Sequence, residues 1–237
     1  MEKKVNDITR RHSALLVLNG EFPDSALFDA LLEHHSLIIC ADGAANILLN
    51  MGFWPEVIIG DLDSVEIPAG KEIARGTIVI ENGDQYSTDF EKALLYLSDK
   101  GFKEISIVGL KGGRFDHQIT NLSILCQFSS EFNFRLFDND GIGYVLTDSK
   151  SSMTTNMPAN TVISLLPLTK VTGIQTRRLK YPLDNEALQF GDRNGQSNAS
   201  LGGEISISLK SGSLICYILM PSWWTQREMY SKLINCY

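Results

Sequence analysis

Two short stretches of the chain place acidic side chains at the ends of apolar runs. GDLDS, residues 60–64, follows the apolar run VII, residues 57–59. A buried strand there would place Asp61 and Asp63 on the same side of its carboxyl-end loop. Two carboxylates held this close repel each other, which favours a shared proton or a bound cation, and magnesium sites typically use one or two carboxylates. The pattern predicts a magnesium-dependent phosphoryl site, and the alternative for DxD alone is a solvated turn after a strand.

The second stretch, STDFEKAL at residues 87–94, has the pattern of a helix start. Thr88 and Glu91 have the spacing of a capping box. The apolar residues that mark the buried stripe are Phe90, Ala93, Leu94 and Leu97. Thr88, Asp89 and Lys92 share one face near the helix amino end, which favours anions. We therefore expect the lysine to meet a phosphate and the aspartate a metal; the alternative is a plain cap beside a solvated lysine.

A third polar cluster lies in KGGRFDHQITN, residues 111–121. Its glycine pair lets a backbone approach a ligand, and the planar guanidinium of Arg114 suits phosphate. The other polar residues are Asp116, His117 and Asn121. The apolar residues expected on the opposite face of the following helix are Ile119, Leu122 and Leu125. We interpret the cluster as ligand-facing, with His117 in a hydrogen-bonding role, although a glycine pair alone more often marks a plain turn.

Composition narrows the class of protein. The chain has 237 residues, 43% of them hydrophobic, which is enough for one large or two modest domains. A net charge of -7 argues against a nucleic-acid partner, because proteins that bind nucleic acids usually carry a clustered basic face. The four scattered cysteines have neither zinc-site spacing nor disulfide density. We expect a soluble cytoplasmic protein with reduced cysteines, no export signal and no membrane segment.

Strand-like and helix-like patterns alternate up to about residue 140. The predicted strands are ALLVLNG (14–20), LIICADG (37–43), VIIGDLD (57–63), TIVIENG (77–83), EISIVGL (104–110) and FRLFDND (134–140). Helical spacing separates them, which indicates an α/β unit with a mostly parallel sheet between two helical layers. Ligands of such sheets bind beyond the carboxyl ends of the strands. The polar residues expected at that edge are Asp42, Asp61, Asp63, Asp84 and Arg114.

After about residue 147 the helical period disappears, and short alternating runs separated by Pro, Gly, Ser and Thr predict an all-β domain, a small sandwich or barrel. We therefore expect an α/β catalytic domain at residues 1–147 and a β-rich domain at 148–237. GEISISLK (203–210) and LICYILM (214–220) flank a glycine turn and predict a hairpin. The final segment, residues 221–237, predicts a short helix that contains Trp223 and Trp224.

Six motifs occur in a fixed order along the chain. They are ADGAAN (41–46), GDLDS (60–64), DQYSTDFEKAL (84–94), GGRFDH (112–117), LKYPL (179–183) and GQSNAS (195–200). In order and spacing they resemble the motifs of the thiamine pyrophosphokinase family, from about residue 14 to about residue 220. The resemblance implies an α/β catalytic domain, a β-rich thiamine-binding domain and a homodimer. It also implies transfer of the terminal pyrophosphate of ATP to the hydroxyl of thiamine, with release of AMP.

The resemblance also implies roles for individual residues. The magnesium ligands would be Asp42, Asp61, Asp63 and Asp89. The residues around the nucleotide phosphates would be Gln85, Thr88, Lys92, Arg114, Asp116 and His117. Ser197 and Asn198 match the thiamine-binding pair, which a partner subunit supplies in the family. Among these residues, catalysis would rest on Asp61, Asp63, Asp89, Arg114 and Asp116. Tyr86 departs from the pattern, because many relatives carry an acidic residue there.

Two other functions are compatible with the residues alone. DLDSV after a strand resembles the DxDx[TV] start of aspartyl-phosphate phosphatases, with Asp61 as nucleophile and Asp63 as acid and base. Such phosphatases also need a downstream motif of paired acidic residues to help hold the metal ion, and the sequence shows no such motif. The third possibility is a non-catalytic nucleotide sensor, which would use the same aspartates for binding.

Overall fold

Short β-branched or leucine-rich runs form the first strands of the chain. The computed structural model describes residues 12–66 and 76–220, and the chain divides into two units, Met1–Gln118 and Ile119–Tyr237. Both units contribute to a mixed α/β chain with extensive β-sheet and few helices. The domain boundary expected after residue 147 stays a prediction.

The first unit contains a parallel sheet. Its strands are β1 (Ser13–Val17), β2 (Leu37–Ala41), β3 (Val57–Gly60), β4 (Ile78–Glu81) and β5 (Glu104–Val108). Hydrogen bonding gives the order β5-β1-β2-β3-β4, and every one of these neighbouring pairs is parallel. The carboxyl ends of the strands therefore meet at one edge, as the sequence predicts.

Four helices match the helical patterns of the sequence within the described residues. They are α1 (Ser25–His34), α2 (Ala44–Asn50), α3 (Asp89–Asp99) and α4 (Phe115–Phe128). Asp24 caps α1 by accepting a hydrogen bond from the Leu27 amide at 2.8 Å. The division between the two units falls inside α4.

The apolar face predicted for α4 is only partly correct. Leu125, Ile124 and Phe128 are buried, but Ile119 is 50% exposed and Leu122 is 37% exposed. Helical spacing identifies residues that share a face, but it does not fix how far along the helix that face is covered. The covered part of α4 is its carboxyl-terminal half.

The second unit is rich in antiparallel strands. They are β6 (Asn133–Phe137), β7 (Gly141–Leu146), β8 (Ser152–Pro167), β9 (Val171–Arg177), β10 (Asp184–Leu188), β11 (Gly195–Ser208) and β12 (Leu214–Leu219). Their order is β10-β9-β11-β8-β12-β7-β6. The long strand β8 pairs with β11 on one side and β12 on the other.

The predicted hairpin between β11 and β12 is wrong. The two sequence runs do form strands, but β8 lies between them in the sheet. The connecting residues bond elsewhere: the Gly212 amide donates to Asp148 at 2.6 Å, and the Ser213 amide donates to Thr169 at 2.9 Å. Alternation around a glycine predicts two strands and a change of direction, but the partners of the connecting residues decide which strands pair.

The carboxyl-terminal segment with Trp223 and Trp224 lies outside the described residues. Among the described helices, none has the length and apolar character needed to cross a membrane.

Candidate active site

Three carboxylates from separate parts of the first unit converge beyond the carboxyl ends of its strands. Asp42 follows β2, Asp61 follows β3, and Asp89 begins α3. One oxygen from each lies within 4.8 Å of the others, a spacing that a single cation can bridge. Carboxylates this close repel each other in the absence of positive charge. These three residues belong to the set of four that the family resemblance implies as metal ligands.

Asp42 is the most buried member of the cluster. Its backbone has φ = 42°, a left-handed conformation, and its amide donates to the Ile59 carbonyl of β3 at 2.8 Å. A Cβ on Gly60 would lie 2.7 Å from the Cβ of Asp42, so this close approach requires glycine. Asp42 Oδ1 is buried and accepts no hydrogen bond from the described residues. Burial raises the pKa of the Asp42 carboxyl. A buried oxygen without a partner fits a cation ligand.

Asp61 and Asp63 lie on the loop after β3 but differ in their surroundings. Leu62 between them has φ = 64°, a left-handed conformation. Asp61 joins the three-carboxylate cluster, whereas Asp63 is exposed and accepts a hydrogen bond from the Ser64 hydroxyl at 2.7 Å. The cluster therefore contains one of the two DxD aspartates.

The start of α3 has the capping box that the sequence predicts. The Glu91 amide donates to the Thr88 hydroxyl oxygen at 3.2 Å, and the Thr88 amide donates to the Glu91 carboxylate at 2.8 Å. Lys92 lies one turn into the helix with only 3% of its side chain exposed, and its Nζ donates to Asp89 Oδ1 at 2.9 Å. Gln85 and Tyr86 precede this helix, and both are exposed. Lys92 therefore supplies a fixed positive charge beside the carboxylate cluster.

The glycine-rich loop after β5 leads into the first turn of α4. Arg114 donates two hydrogen bonds to Asp116, at 3.1 and 2.5 Å, and both side chains are exposed. Hydrogen bonding to Arg114 lowers the pKa of Asp116 to about 2. His117 is exposed beside them. Gly112 has φ = 96°, and a Cβ there would lie 2.6 Å from the Glu21 amide nitrogen, so the loop also requires glycine.

Ser197 and Asn198 lie in the second unit, at an irregularity in β11. The register with β8 shifts between Gly195 and Asn198, and Ser197 has φ = 59°. Asn198 is buried; its Nδ2 donates to the Tyr181 carbonyl at 2.6 Å, and its Oδ1 accepts from the Tyr181 amide at 3.0 Å. Ser197 is exposed. Asn198 thus joins two of the six sequence motifs, LKYPL and GQSNAS.

Two residues near the cluster have structural roles that the sequence interpretation does not assign. Gly60 allows the approach of Asp42, and Asn46 hydrogen-bonds the backbone of the loop that carries Asp61. Both belong to predicted motifs, so their positions are visible in the sequence. Their contacts depend on the spacing of β2 and β3, which the sequence does not give.

This arrangement is typical of one broad class of protein. A carboxylate cluster at the carboxyl edge of a parallel sheet suits enzymes that transfer phosphoryl groups with help from a cation. The family model described as "Thiamin pyrophosphokinase, catalytic domain" matches residues 28–137, and "Thiamin pyrophosphokinase, vitamin B1 binding domain" matches residues 143–214. The chain belongs to the thiamin pyrophosphokinase family.

Individual relatives agree with the family models. The chain is 30% identical over 227 residues to Thiamine pyrophosphokinase 1 of Arabidopsis thaliana, covering 84% of this chain and 83% of the relative. It is 29% identical over 197 residues to Thiamin pyrophosphokinase 1 of Caenorhabditis elegans, covering 78% and 79%. The crystal structure of thiamine pyrophosphokinase from Bacillus subtilis has a TM-score of 0.72 at 25% identity and covers 88% of this chain and 99% of that chain.

Proposed function

We propose that this chain is an ATP:thiamine diphosphotransferase, which transfers the pyrophosphoryl group of ATP to the hydroxyl of thiamine and releases AMP. Membership of the family supports this activity along most of the chain. The observation that carries the proposal is the convergence of Asp42, Asp61 and Asp89 on one point. The two alternatives, an aspartyl-phosphate phosphatase and a non-catalytic sensor, receive no support from the comparisons.

The donor set fits magnesium. All three groups offer carboxylate oxygens, which Mg²⁺ prefers, and the buried oxygen of Asp42 has no hydrogen-bond partner among the described residues. When bound, the ion would neutralise negative charge on the transferred phosphates. Asp63 is the fourth predicted ligand, and it accepts a hydrogen bond from the Ser64 hydroxyl.

Lys92 and the capping residues of α3 orient Asp89, one of the three clustered carboxylates. The Lys92 ammonium holds Asp89 at 2.9 Å, so this carboxylate is oriented before any ligand arrives. The amino end of α3 carries a partial positive charge, which suits the phosphate tail of ATP. We assign Gln85, Thr88 and Lys92 to the surroundings of that tail. Lys92 is buried and acts indirectly, by orienting the Asp89 carboxylate.

Arg114, Asp116 and His117 complete the proposed nucleotide site. The guanidinium of Arg114 already binds a carboxylate with two hydrogen bonds, and the same geometry suits a phosphate. Because the pKa of Asp116 is about 2, this carboxylate is ionised at neutral pH and is a weak proton acceptor while Arg114 holds it. Exchange of Arg114 from Asp116 to a phosphate would make Asp116 more basic.

The reaction itself needs positioning more than covalent chemistry from the protein. The hydroxyl oxygen of thiamine forms a bond to the β-phosphorus of ATP, and the bond from that phosphorus to the oxygen bridging the α- and β-phosphates breaks. AMP leaves with the bridging oxygen, and the hydroxyl proton passes to a base. Arg114 stabilises the charge that develops on the phosphate oxygens.

Thiamine binding belongs to the second unit in this proposal. Ser197 is exposed in a left-handed conformation at the β11 irregularity, and Asn198 anchors this turn to Tyr181. We propose that the chain acts as a cytoplasmic homodimer in which each subunit contributes Ser197 and Asn198 to its partner's site. We also propose a layered α/β catalytic domain at residues 1–147 and a compact β-sandwich or barrel at residues 148–237.

Product analysis tests the proposed activity. The protein is incubated with ATP, Mg²⁺ and thiamine, and the products are separated by chromatography. Equal amounts of AMP and thiamine diphosphate are expected. Release of inorganic phosphate from a phosphomonoester, without thiamine diphosphate, would support the phosphatase instead. ATP binding without turnover would support the sensor.

A further inference from the structure

Asn46 is a motif residue that the proposed reaction leaves without a role. It lies in the first turn of α2, four residues after Asp42, and its side chain bonds a different loop. Its Nδ2 donates to the Ser64 carbonyl at 2.7 Å, and its Oδ1 accepts from the Glu66 amide at 2.8 Å. One partner is an acceptor and the other a donor, so the primary amide of Asn46 satisfies both at once.

The backbone amides of the loop that Asn46 holds make weak hydrogen bonds within that loop. The Asp63 amide reaches the Asp61 carboxylate at 3.4 Å, and the Val65 amide reaches the Leu62 carbonyl at the same 3.4 Å. Both distances exceed the usual range for N–H···O bonds, whereas both bonds of Asn46 lie within it. The left-handed conformation of Leu62, at φ = 64°, is also unfavourable for a leucine. The loop conformation therefore depends on contacts from outside.

The helix that carries Asn46 is firmly anchored. Ala44, Ala45 and Leu48 of α2 are fully buried, and the Asn46 amide donates to the Gly43 carbonyl at 3.1 Å. Asp42, at the amino end of the same segment, contributes to the carboxylate cluster. Asn46 thus links two parts of that cluster: the segment with Asp42 and the loop with Asp61.

We propose that Asn46 is a positioning residue that holds the loop of residues 61–66 so that Asp61 meets Asp42 and Asp89 at the cation site. This inference rests on the proposed metal-dependent function. Partners that orient metal ligands typically change metal affinity or activity by about 10- to 100-fold when they are removed. Asn46 makes no direct contact with substrate in this proposal.

The first experiment measures the cation rather than the reaction. Mn²⁺ replaces Mg²⁺, and electron paramagnetic resonance measures free Mn²⁺ during titration of the full chain. Asn46→Ala is expected to raise the Mn²⁺ dissociation constant about tenfold. Asn50→Ala, on the exposed end of the same helix, is the matched control and is expected to bind like the unsubstituted protein. Equal affinity in Asn46→Ala and Asn50→Ala would overturn the proposal.

Asn46→Asp separates positioning from folding. It keeps an acceptor for the Glu66 amide but loses the donor to the Ser64 carbonyl, so an intermediate loss of Mn²⁺ affinity is expected. With thiamine as the varied substrate, kcat should fall while KM stays constant. Unchanged Mn²⁺ affinity with a lowered thermal midpoint would show a merely structural role and overturn the proposal.

A measurement on the unsubstituted protein does not depend on the variants folding. Hydrogen exchange in the metal-free protein should show the Glu66 amide protected, because this amide donates a hydrogen bond to the Asn46 side chain. Exchange at the rate of an unstructured amide would overturn the proposal. Failure of the proposed function gives a different result: the unsubstituted protein would then bind no Mn²⁺ and form no thiamine diphosphate, whatever the protection of Glu66.

Discussion

The two regions assigned to substrates differ in how their polar groups are satisfied. In the first unit, three carboxylates lie close together, and a buried oxygen of Asp42 has no hydrogen-bond partner among the described residues. In the second unit, the buried amide of Asn198 bonds both backbone groups of Tyr181. Without a ligand, the carboxylate repulsion and the unpartnered oxygen of the first region lower the stability of the folded protein. The hydrogen bonds of Asn198 in the second region raise it. Substitutions should therefore have opposite effects in the two regions.

The largest effect is expected for Asp61→Asn. Loss of one carboxylate from the cluster should lower turnover by about 10³-fold or more, because the charge on the phosphates loses its stabilisation. The thermal midpoint should stay the same or rise, because repulsion with Asp42 and Asp89 decreases. Chromatography of thiamine diphosphate and thermal unfolding measure the two quantities.

Asp192→Asn is the control for this variant, because it removes one negative charge from an exposed turn of the second unit. It should leave both turnover and the midpoint unchanged. Near-normal turnover in Asp61→Asn would refute the assignment of the cation site.

The opposite pattern is expected for Asn198→Ala. The variant leaves the Tyr181 amide and carbonyl without their partner, which should lower the free energy of unfolding by about 2 kcal/mol. Urea denaturation measures this loss. Ser197→Ala, at the exposed neighbouring position, should change stability by less than about 0.5 kcal/mol and instead raise the KM for thiamine. Identical unfolding midpoints in the two variants would show that the hydrogen bonds of Asn198 do not stabilise the second unit.

The sequence predicts the elements of this fold better than their partners. The spacing in STDFEKAL predicts the capping box of Thr88 and Glu91, because a capping box is made within four consecutive residues. The β11–β12 hairpin fails because the bonds of Gly212 and Ser213 go to Asp148 and Thr169, far away in sequence. Local hydrogen bonds are readable from spacing, and long-range ones depend on strand order.

The same distinction applies to the candidate site. The approach of Asp42 and Asp61 follows from the parallel strands that precede them, so strand ends predict it, whereas Asp89 is predicted as a metal ligand from its place in the first turn of α3. Asp63 lies outside the cluster, on a loop in which Leu62 has a left-handed backbone that its residue type does not predict. The burial of Lys92 likewise depends on neighbours that are distant in sequence.

Lys92→Met tests the positive charge that accompanies the cluster. Lys92 is buried and Asp89 is about one-third exposed, so loss of the pair should cost about 1–2 kcal/mol, less than a fully buried pair would. Mg²⁺ should then raise the thermal midpoint more in the variant than in the unsubstituted protein, because the ion replaces a missing positive charge. Thermal unfolding with and without Mg²⁺ measures this difference.

Lys100→Met is the matched control, because Lys100 also pairs with an aspartate of α3 but is exposed. Its effect on the free energy of unfolding should be within about 0.5 kcal/mol. An equal Mg²⁺ response in Lys92→Met and Lys100→Met would show that Lys92 does not influence the cluster.

The smallest effect on stability is expected at the Arg114–Asp116 pair, where both side chains are exposed and solvent weakens the interaction. Arg114→Gln should raise the pKa of Asp116 from about 2 towards its ordinary value of 3.8, as measured by NMR titration of the carboxyl carbon. Because the pKa is lower in the folded protein, the pair's contribution to stability is present above pH 3.8 and is lost as the pH falls towards 2. Saturating ATP and Mg²⁺ should raise the same pKa in the unsubstituted protein if the nucleotide takes Arg114 away from Asp116. A pKa that stays near 2 with nucleotide bound would show that Arg114 remains on Asp116 and does not bind the phosphates.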